Sequence, residues 1–462
     1  MVDILHQLFK LIHGSKMEPF EGIPGPIPRF PFGNALDFKN SLPWELCAKY
    51  GETYGGITQV WLLGKPALVL NDPELIEQVL ISKQESFYKD KLRQAARPMM
   101  TDDSLFLFPN QDQDWSFIRR NHPLSMTYVQ QWLAEQVSIL KHQFTEDIQR
   151  LVDRSKSGSF PFFPAMKRFI FDGFARATVG RVLGNQAFED YLVMAEIADK
   201  RLQARGSYPE EPTELKYQQA SQRWFRLFAN IVSEAKKNPT GQDLLCLMIR
   251  EGGSELSEQA LGHVFAEIYF SANFSTPGGL TNTLYLLDQN PEWRSRLENE
   301  LSSISMDTLT LEDLQQCLLL EQCVLESLRI LPPVAFFGRN THREKTISFA
   351  GYQIPPNTPL LISNWYLHRH PTHWPNPLVY NPARWDEATR TANPLDSDYF
   401  FPFGRGERIC IGRYFGLFII KLALATFVSQ VQTKFDSEPP YKASFQLGTR
   451  SPEILNGFCV PL

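Results

Sequence analysis

The chain has 462 residues and a formal net charge of −5, with 46 Lys and Arg against 51 Asp and Glu. No net basic field draws phosphate, so nucleic-acid binding is disfavoured as a class. Hydrophobic and charged residues make up 43% and 21% of the chain, as in globular proteins, and an aromatic share of 13% with 34 Phe suits a large apolar interior or pocket.

Residues 1–17 set Val2, Ile4, Leu5, Leu8, Phe9, Leu11 and Ile12 among Asp3, His6, Gln7, Lys10 and His13. This pattern predicts an amphipathic helix, too short and interrupted to span a bilayer, that packs on its own domain or docks on a membrane surface. Residues 18–34 carry Pro24, Pro26, Pro28 and Pro31, a density that sets an extended, stiff connector. The rest, 35–462, holds no repeat, low-complexity tract or evident linker.

Leu42 to Tyr50 is expected to be a short helix. GITQVWLLGKPALVLND then reads as a hairpin about Gly64-Lys65. A helix starting at DPELIEQVL takes Asp72 as its N-cap. Residues 92–114 lack a period and carry Met99, Met100, Phe106 and Phe108, as binding loops do. Trp115 to about Arg250 is mostly helical. Ser257 to Leu287 forms one long helix, and Asn290 is placed to cap the next. LEDLQQCLLLEQCVLESLRI is an apolar helix stopped by Pro332-Pro333. Short strands follow between Phe336 and Ile362, then an irregular stretch to Phe403. A last helix runs to about Gln430, before a tail of short strands. The expected fold is mainly α with a small β region, in a single domain.

The six cysteines, Cys47, Cys246, Cys317, Cys323, Cys410 and Cys459, form no C-x-x-C pair. The usual zinc and iron–sulfur spacings are therefore missing, and a reducing compartment is indicated, with most thiols packed as small hydrophobes. Cys410 differs. In FPFGRGERICIGRYFG, four glycines and three arginines crowd around it, and the helix that follows would stabilise a thiolate through its orphan N–H groups and dipole. Alone, such a cysteine fits a packed thiol in a Gly-rich turn better. The spacing Phe403, Gly406, Arg408, Cys410, Gly412, however, resembles the haem-binding loop of the cytochrome P450 family at every fixed position.

Further motifs extend the resemblance over nearly the whole chain. Glu326-Ser327-Leu328-Arg329 places an acid and a base on one helix face and, with Pro382-Ala383-Arg384-Trp385, is similar to the family's buried Glu, Arg and Arg network. Trp115-x-x-x-Arg119 resembles the helix whose indole and guanidinium hold haem propionates, and Arg339 sits where the family often has another propionate arginine. HRHPTHWPNP resembles a family stretch with His370 in place of an acid.

The resemblance implies a P450 fold and haem b (iron protoporphyrin IX) ligated by Cys410, with Arg408, Trp115, Arg119 and Arg339 at the propionates. Gly406 and Gly412 allow close approach of the backbone. Phe106, Phe108, Phe270, Ala272, Phe274, Val334, Ala335 and Phe336 become pocket residues. One departure stands out. Aligned on Thr276, the oxygen-site helix reads Ala272-Asn273-Phe274-Ser275-Thr276, so the family's acid is replaced by Ser275 and its glycine by Asn273. Pro277 then opens the helix locally.

The implied reaction is insertion of one oxygen atom from O2 into a hydrophobic substrate, lipid-, terpenoid- or fatty-acid-like. Electrons would come from a ferredoxin, a flavodoxin-like protein or a reductase. The donor would dock on a basic face formed by Arg119 and Arg120 at a helix start with Arg405, Arg413 and Lys421. Two readings stand beside this one. The first is an isomerase, dehydratase or peroxygenase that uses peroxides without a redox partner. The second is a non-catalytic haem binder or sensor. The expected state is a monomer, cytoplasmic or peripheral to a membrane.

Overall fold

The computed structural model describes residues 2–89, 104–105, 113–125, 127–203, 211–251, 255–386, 394–436, 441–446 and 449–462. Helices α1 (Val2–Met17), α2 (Ala35–Lys39) and α3 (Pro43–Tyr54) precede the hairpin of β1 (Ile57–Leu62) and β2 (Lys65–Leu70). The hairpin turns on Leu63 and Gly64, at φ 53° and 73°, one residue earlier than expected, because a two-residue turn that matches strand twist needs positive φ at both positions. Then come α4 (Pro73–Glu77), β3 (Phe87–Lys89), α5 (Gln113–Arg120), α6 (Val129–Ser155), β4 (Phe160–Pro161), α7 (Phe162–Val179), α8 (Gly184–Gln203), α9 (Glu211–Lys237) and α10 (Leu244–Arg250). The long α11 (Glu258–Gln289) is followed by α12 (Pro291–Ser302), α13 (Leu311–Gln316) and α14 (Leu318–Ile330). Strands β5 (Phe337–Thr341), β6 (Ile347–Phe349), β7 (Tyr352–Ile354) and β8 (Pro359–Ile362) lead to α15 (Asn364–Leu367) and α16 (Arg413–Gln430). The chain ends in β9 (Val431–Phe435), β10 (Ala443–Gln446), β11 (Thr449–Pro452) and β12 (Asn456–Pro461).

Asp72 caps α4, its carboxylate accepting from the Leu75 N–H at 2.9 Å. Ser257 caps α11 in the same way through Ala260. Asn290 occupies the cap position of α12 without capping it. Its amide turns back and donates to the Leu286 carbonyl at 2.7 Å, closing the end of α11 instead. Arg119 and Arg120 end α5 rather than begin it, since the helix starts two residues before Trp115.

Among the described residues, the two larger of three apolar cores organise the chain. The larger joins α6, α7, α8, α9, α11, α14 and α16. Helix α11 is apolar nearly all round and buried from Leu261 to Leu287 apart from His263, Glu267 and a stretch around Ser271, which places it at the centre of the helical body. The smaller core lies on the five-stranded sheet β1-β2-β8-β5-β3, in which β2 and β8 pair in parallel and the other neighbours antiparallel. Phe9, Phe20, Trp61, Leu68, Phe87 and Phe401 meet there. Helix α1 thus packs on the sheet through Phe9, while Ile4, Leu8, Leu11 and Ile12 stay exposed. The proline-rich segment runs along β1, with the Pro24 carbonyl accepting from Gln59 N–H at 2.8 Å. Among the described residues no helix is long and apolar enough to cross a membrane.

Candidate cofactor site around Cys410

The loop before α16 is held by backbone geometry. Gly404 and Gly406 adopt φ 72° and 68°, the left-handed region that disfavours any side chain. At Gly406 a Cβ would also fall 1.7 Å from the Leu80 carbonyl oxygen, so the close approach made by this glycine is to the protein backbone. The Cys410 N–H donates to the Phe403 carbonyl at 2.9 Å and closes the loop. Gly412 then caps α16. A Cβ on Gly412 would meet only ordinary contacts, Leu124 at 3.6 Å and the Cys410 thiol at 3.9 Å.

Cys410 alone among the six cysteines is exposed, yet it is enclosed by protein at longer range. Burial raises its thiol pKa, while the Gly412 N–H and the charges of Arg413 and Arg119 pull it down. An accessible sulfur inside the body, beside a helix start and two guanidiniums, has the character of a ligand donor. That fits a thiolate-ligated haem. Among the described residues no cluster of three His, Cys, Asp or Glu could hold a bare metal ion.

Trp115 lies between two arginines. The Arg408 guanidinium is 4.2 Å from its ring and that of Arg119 is 5.4 Å away. Arg119 donates to the Ile409 carbonyl at 3.0 Å, and Arg408 to the Leu105 carbonyl at 2.8 Å. Leu105 in turn donates its N–H to Glu267 of α11 at 3.2 Å, so this acid braces the arginine side of the site. Arg339 is buried on β5, 5.3 Å from the Phe337 ring, and donates to the Gly338 carbonyl.

Glu326 and Arg329 are fully buried on α14. Arg329 donates twice to Glu326, both bonds at 2.9 Å. Arg384 adds a third bond at 2.8 Å, the Asn381 N–H a fourth and the Trp385 indole N–H a fifth, each of the last two at 3.0 Å. Arg329 also donates to the carbonyls of His368 and Pro377. A buried acid with this many donors is fully paired, the condition under which such a charge is tolerated. Trp385 and His368 were absent from the expected network, although PARW and HRHP both mark their places in the sequence.

On α11, Thr276 is buried and Ser275 half-buried, and Pro277 lies inside the helix without ending it. Phe270 is fully buried, its ring 4.5 Å from Phe274 and 5.5 Å from Tyr191. Ala272 and Phe274 are half-buried. A cavity of about 250 Å³ reaches Asn273 and Phe274 between α7, α8 and the β10–β11 hairpin, and Lys167, Glu196 and Asp199 make it more polar than expected. The segment carrying Val334, Ala335 and Phe336 is tied from behind. The Pro333, Val334 and Ala335 carbonyls accept from Arg450 N–H, the Asn364 amide and Trp365 N–H, and Phe336 stacks on Phe445 at 5.5 Å. Phe106 and Phe108 lie outside the described residues.

The expected basic face needs one correction. Lys421 is only 8% exposed and pairs with Glu321 at 2.8 Å, because its position on α16 faces α14. Arg405 is paired with Asp398. Arg120 is exposed, and Arg413 is half-exposed over the Tyr414 ring.

The family model described as Cytochrome P450 matches residues 23–456. Cytochrome P450 4F1 of Rattus norvegicus is 33% identical over 218 residues, 46% of this chain and 39% of that protein. Leukotriene-B4 omega-hydroxylase 3 of Mus musculus is 32% identical over the same length and shares. The chain thus spans about two-fifths of these relatives. Cytochrome P450 3A56 of Fundulus heteroclitus is 24% identical over 471 residues, 92% of this chain and 90% of that protein. Among solved structures, the crystal structure of the cytochrome P450DA heme domain superposes with a TM-score of 0.81 at 19% identity, covering 95% of this chain and 97% of that one.

Proposed function

Because the chain belongs to the cytochrome P450 family of haem-thiolate oxidoreductases, we propose that it is a monooxygenase, inserting one oxygen atom from O2 into a hydrophobic, lipid-like substrate. The observation that carries this reading is the accessible Cys410 thiol at the head of α16, within a loop matched at every fixed position. Haem, when bound, supplies dioxygen activation and oxygen transfer. Cys410 would ligate its iron, and Arg408, Arg119 and Trp115 would hold its carboxylates by charge-assisted hydrogen bonds. Arg339 serves the same end from β5. Thr276 offers the hydroxyl that holds a hydrogen bond at the oxygen site, with Ser275 beside it unable to titrate near neutral pH. The Glu326, Arg329 and Arg384 network positions the loop. The substrate walls are Ala272, Phe274, Val334, Ala335 and Phe336, with Phe270 backing Phe274.

The name of the mouse relative points the substrate toward lipid chains. An external acidic electron donor docks on the face of Arg120 and Arg413. The exposed Ile4, Leu8, Leu11 and Ile12 of α1 suit a peripheral contact with a lipid surface. Ser275, standing where the family has an acid, favours one second reading, peroxide-driven chemistry with no donor. Turnover of a lipid panel, driven either by a reductase system with O2 or by peroxide alone, separates the two. Product from peroxide alone and none with a competent reductase would overturn the proposal. For the haem assignment, the reduced, CO-bound protein is expected to show a thiolate-type absorbance that Cys410→Ser abolishes.

A further inference from the structure

Pro277 sits inside α11 and removes two things from it. It has no N–H for the carbonyl four residues back, and its ring presses that carbonyl outward. The carbonyl belongs to Asn273, which is completely buried. A buried carbonyl with no donor costs free energy. The missing donor is supplied from another helix: the Tyr191 hydroxyl on α8 donates to the Asn273 carbonyl at 2.8 Å.

The Tyr191 ring has no slack. It is 1% exposed, and the rings of Phe171, Phe188, Phe270 and Phe274 lie within 5.5 to 6.2 Å. Burial raises the phenol pKa, so the hydroxyl keeps its proton and remains a donor. Asn273 is fixed a second time through its own amide, which donates to the Tyr269 carbonyl at 2.7 Å.

We propose that Tyr191 is a positioning residue that replaces the N–H missing at Pro277 and holds the bend of α11 on which Thr276 sits. Thr276 directly precedes the proline and lies one turn beyond Asn273, so its place depends on how far the carbonyl is drawn toward α8. The next residues of α8, Leu192, Ala195, Glu196 and Asp199, line a cavity together with Asn273 and Phe274. A substrate chain in that cavity bears on both helices joined by this bond, and the bond carries the displacement of α8 to Thr276. The role of Thr276 in turnover rests on the monooxygenase reading, whereas the clamp itself does not.

The test is a double-mutant cycle on the haem-loaded full chain with Tyr191→Phe, Pro277→Ala and both together. Urea unfolding of the resting protein reads the clamp. Tyr191→Phe in the wild-type background orphans a buried carbonyl and should raise the unfolding equilibrium constant roughly tenfold. In the Pro277→Ala background the restored N–H reaches Asn273, and the same change should cost almost nothing. Equal losses in both backgrounds would overturn the clamp, since mere packing of the phenol predicts additivity. Product formed per electron consumed reads the positioning. Tyr191→Phe should divert electrons to hydrogen peroxide while the affinity read from substrate-induced spin shifts stays unchanged, and adding it to Pro277→Ala should bring no further loss. Unchanged product per electron in Tyr191→Phe would overturn the positioning role. A wild type that makes no product from O2 would instead sink the monooxygenase reading, and the unfolding cycle would still decide the clamp.

Discussion

The Phe401 N–H donates to Nε2 of His368 at 3.1 Å. This bond joins the loop of Cys410 to the Glu326 network, because the His368 carbonyl accepts from Arg329 at 2.8 Å. His368 must be neutral for its ring nitrogen to accept. Burial, then the charges of Arg369 and Arg329, push its pKa well below the ordinary value.

That neutrality sets a pH dependence. His122 behaves similarly, pushed down to about 3 by burial and then by Arg119. Below about pH 6.5 the unfolded chain binds a proton at each histidine and the native protein does not. Stability is therefore flat above that pH and falls as pH drops, by up to about 1.4 kcal/mol per pH unit per histidine. Urea unfolding between about pH 7 and pH 5 measures the slope. His122→Gln is expected to flatten it by about one proton, and an unchanged slope would remove His122 from the account.

Glu326→Ala leaves Arg329 buried and unpaired, which should cost about 3–5 kcal/mol and impair haem retention. Trp385→Phe removes one of the five donors to Glu326 at a smaller cost, about 1–3 kcal/mol. Melting temperature and haem content per protein are the readouts. A Glu326→Ala protein with wild-type melting would mean that the buried network carries no such weight.

The two glycines of the loop should separate. Gly406→Ala places a methyl against the Leu80 carbonyl at a left-handed backbone, with strain of roughly 1–3 kcal/mol before the clash is counted. It should destabilise the protein with or without haem. Gly412→Ala meets no hard contact on the protein side, so the haem-free protein should melt as wild type while haem affinity falls. Equal behaviour of the two variants would mean that no flat group approaches Gly412.

Reduction by an acidic donor should depend on Arg120 and Arg413 and weaken as salt rises. Reversing both charges is expected to raise the half-saturating donor concentration without changing the melting temperature. Lys421→Glu should do the opposite, since Lys421 faces Glu321 inside the body. Rapid-mixing reduction over a salt series decides it, and salt-independent reduction would place the donor elsewhere.

The parts of the site that were legible in the sequence are short-range. Cys410, Gly406 and Arg408 are spaced by one loop, Glu326 and Arg329 by one helical turn, and Asp72 by one cap. What escaped is carried by long-range contacts. Nothing near Tyr191 in the chain announces Asn273, 82 residues away, and His368 meets Phe401 only through the fold. Helix α11 shows a further limit. A helix apolar nearly all round has no readable inner face, so Phe270 looked like pocket wall and lies wholly within the core. For the same reason Lys421, a lone cation on an apolar helix, read as a surface charge although its partner is on α14.

Phe401 rests in the core of the sheet, whereas α16, which begins just after Cys410, belongs to the helical core. The thiol therefore stands on a seam, and the contacts that close the seam span the chain: Arg119 to Ile409 across 290 residues and Arg408 to Leu105 across 303. Loops of that length are closed late in folding, after local contacts have formed. We expect the cysteine to be a latecomer to its own site, still open to solution once the local contacts of the cores have formed. Thiol labelling of the haem-free protein should find Cys410 reactive while Cys323, buried in the helical core, stays protected, and haem capture should close that access.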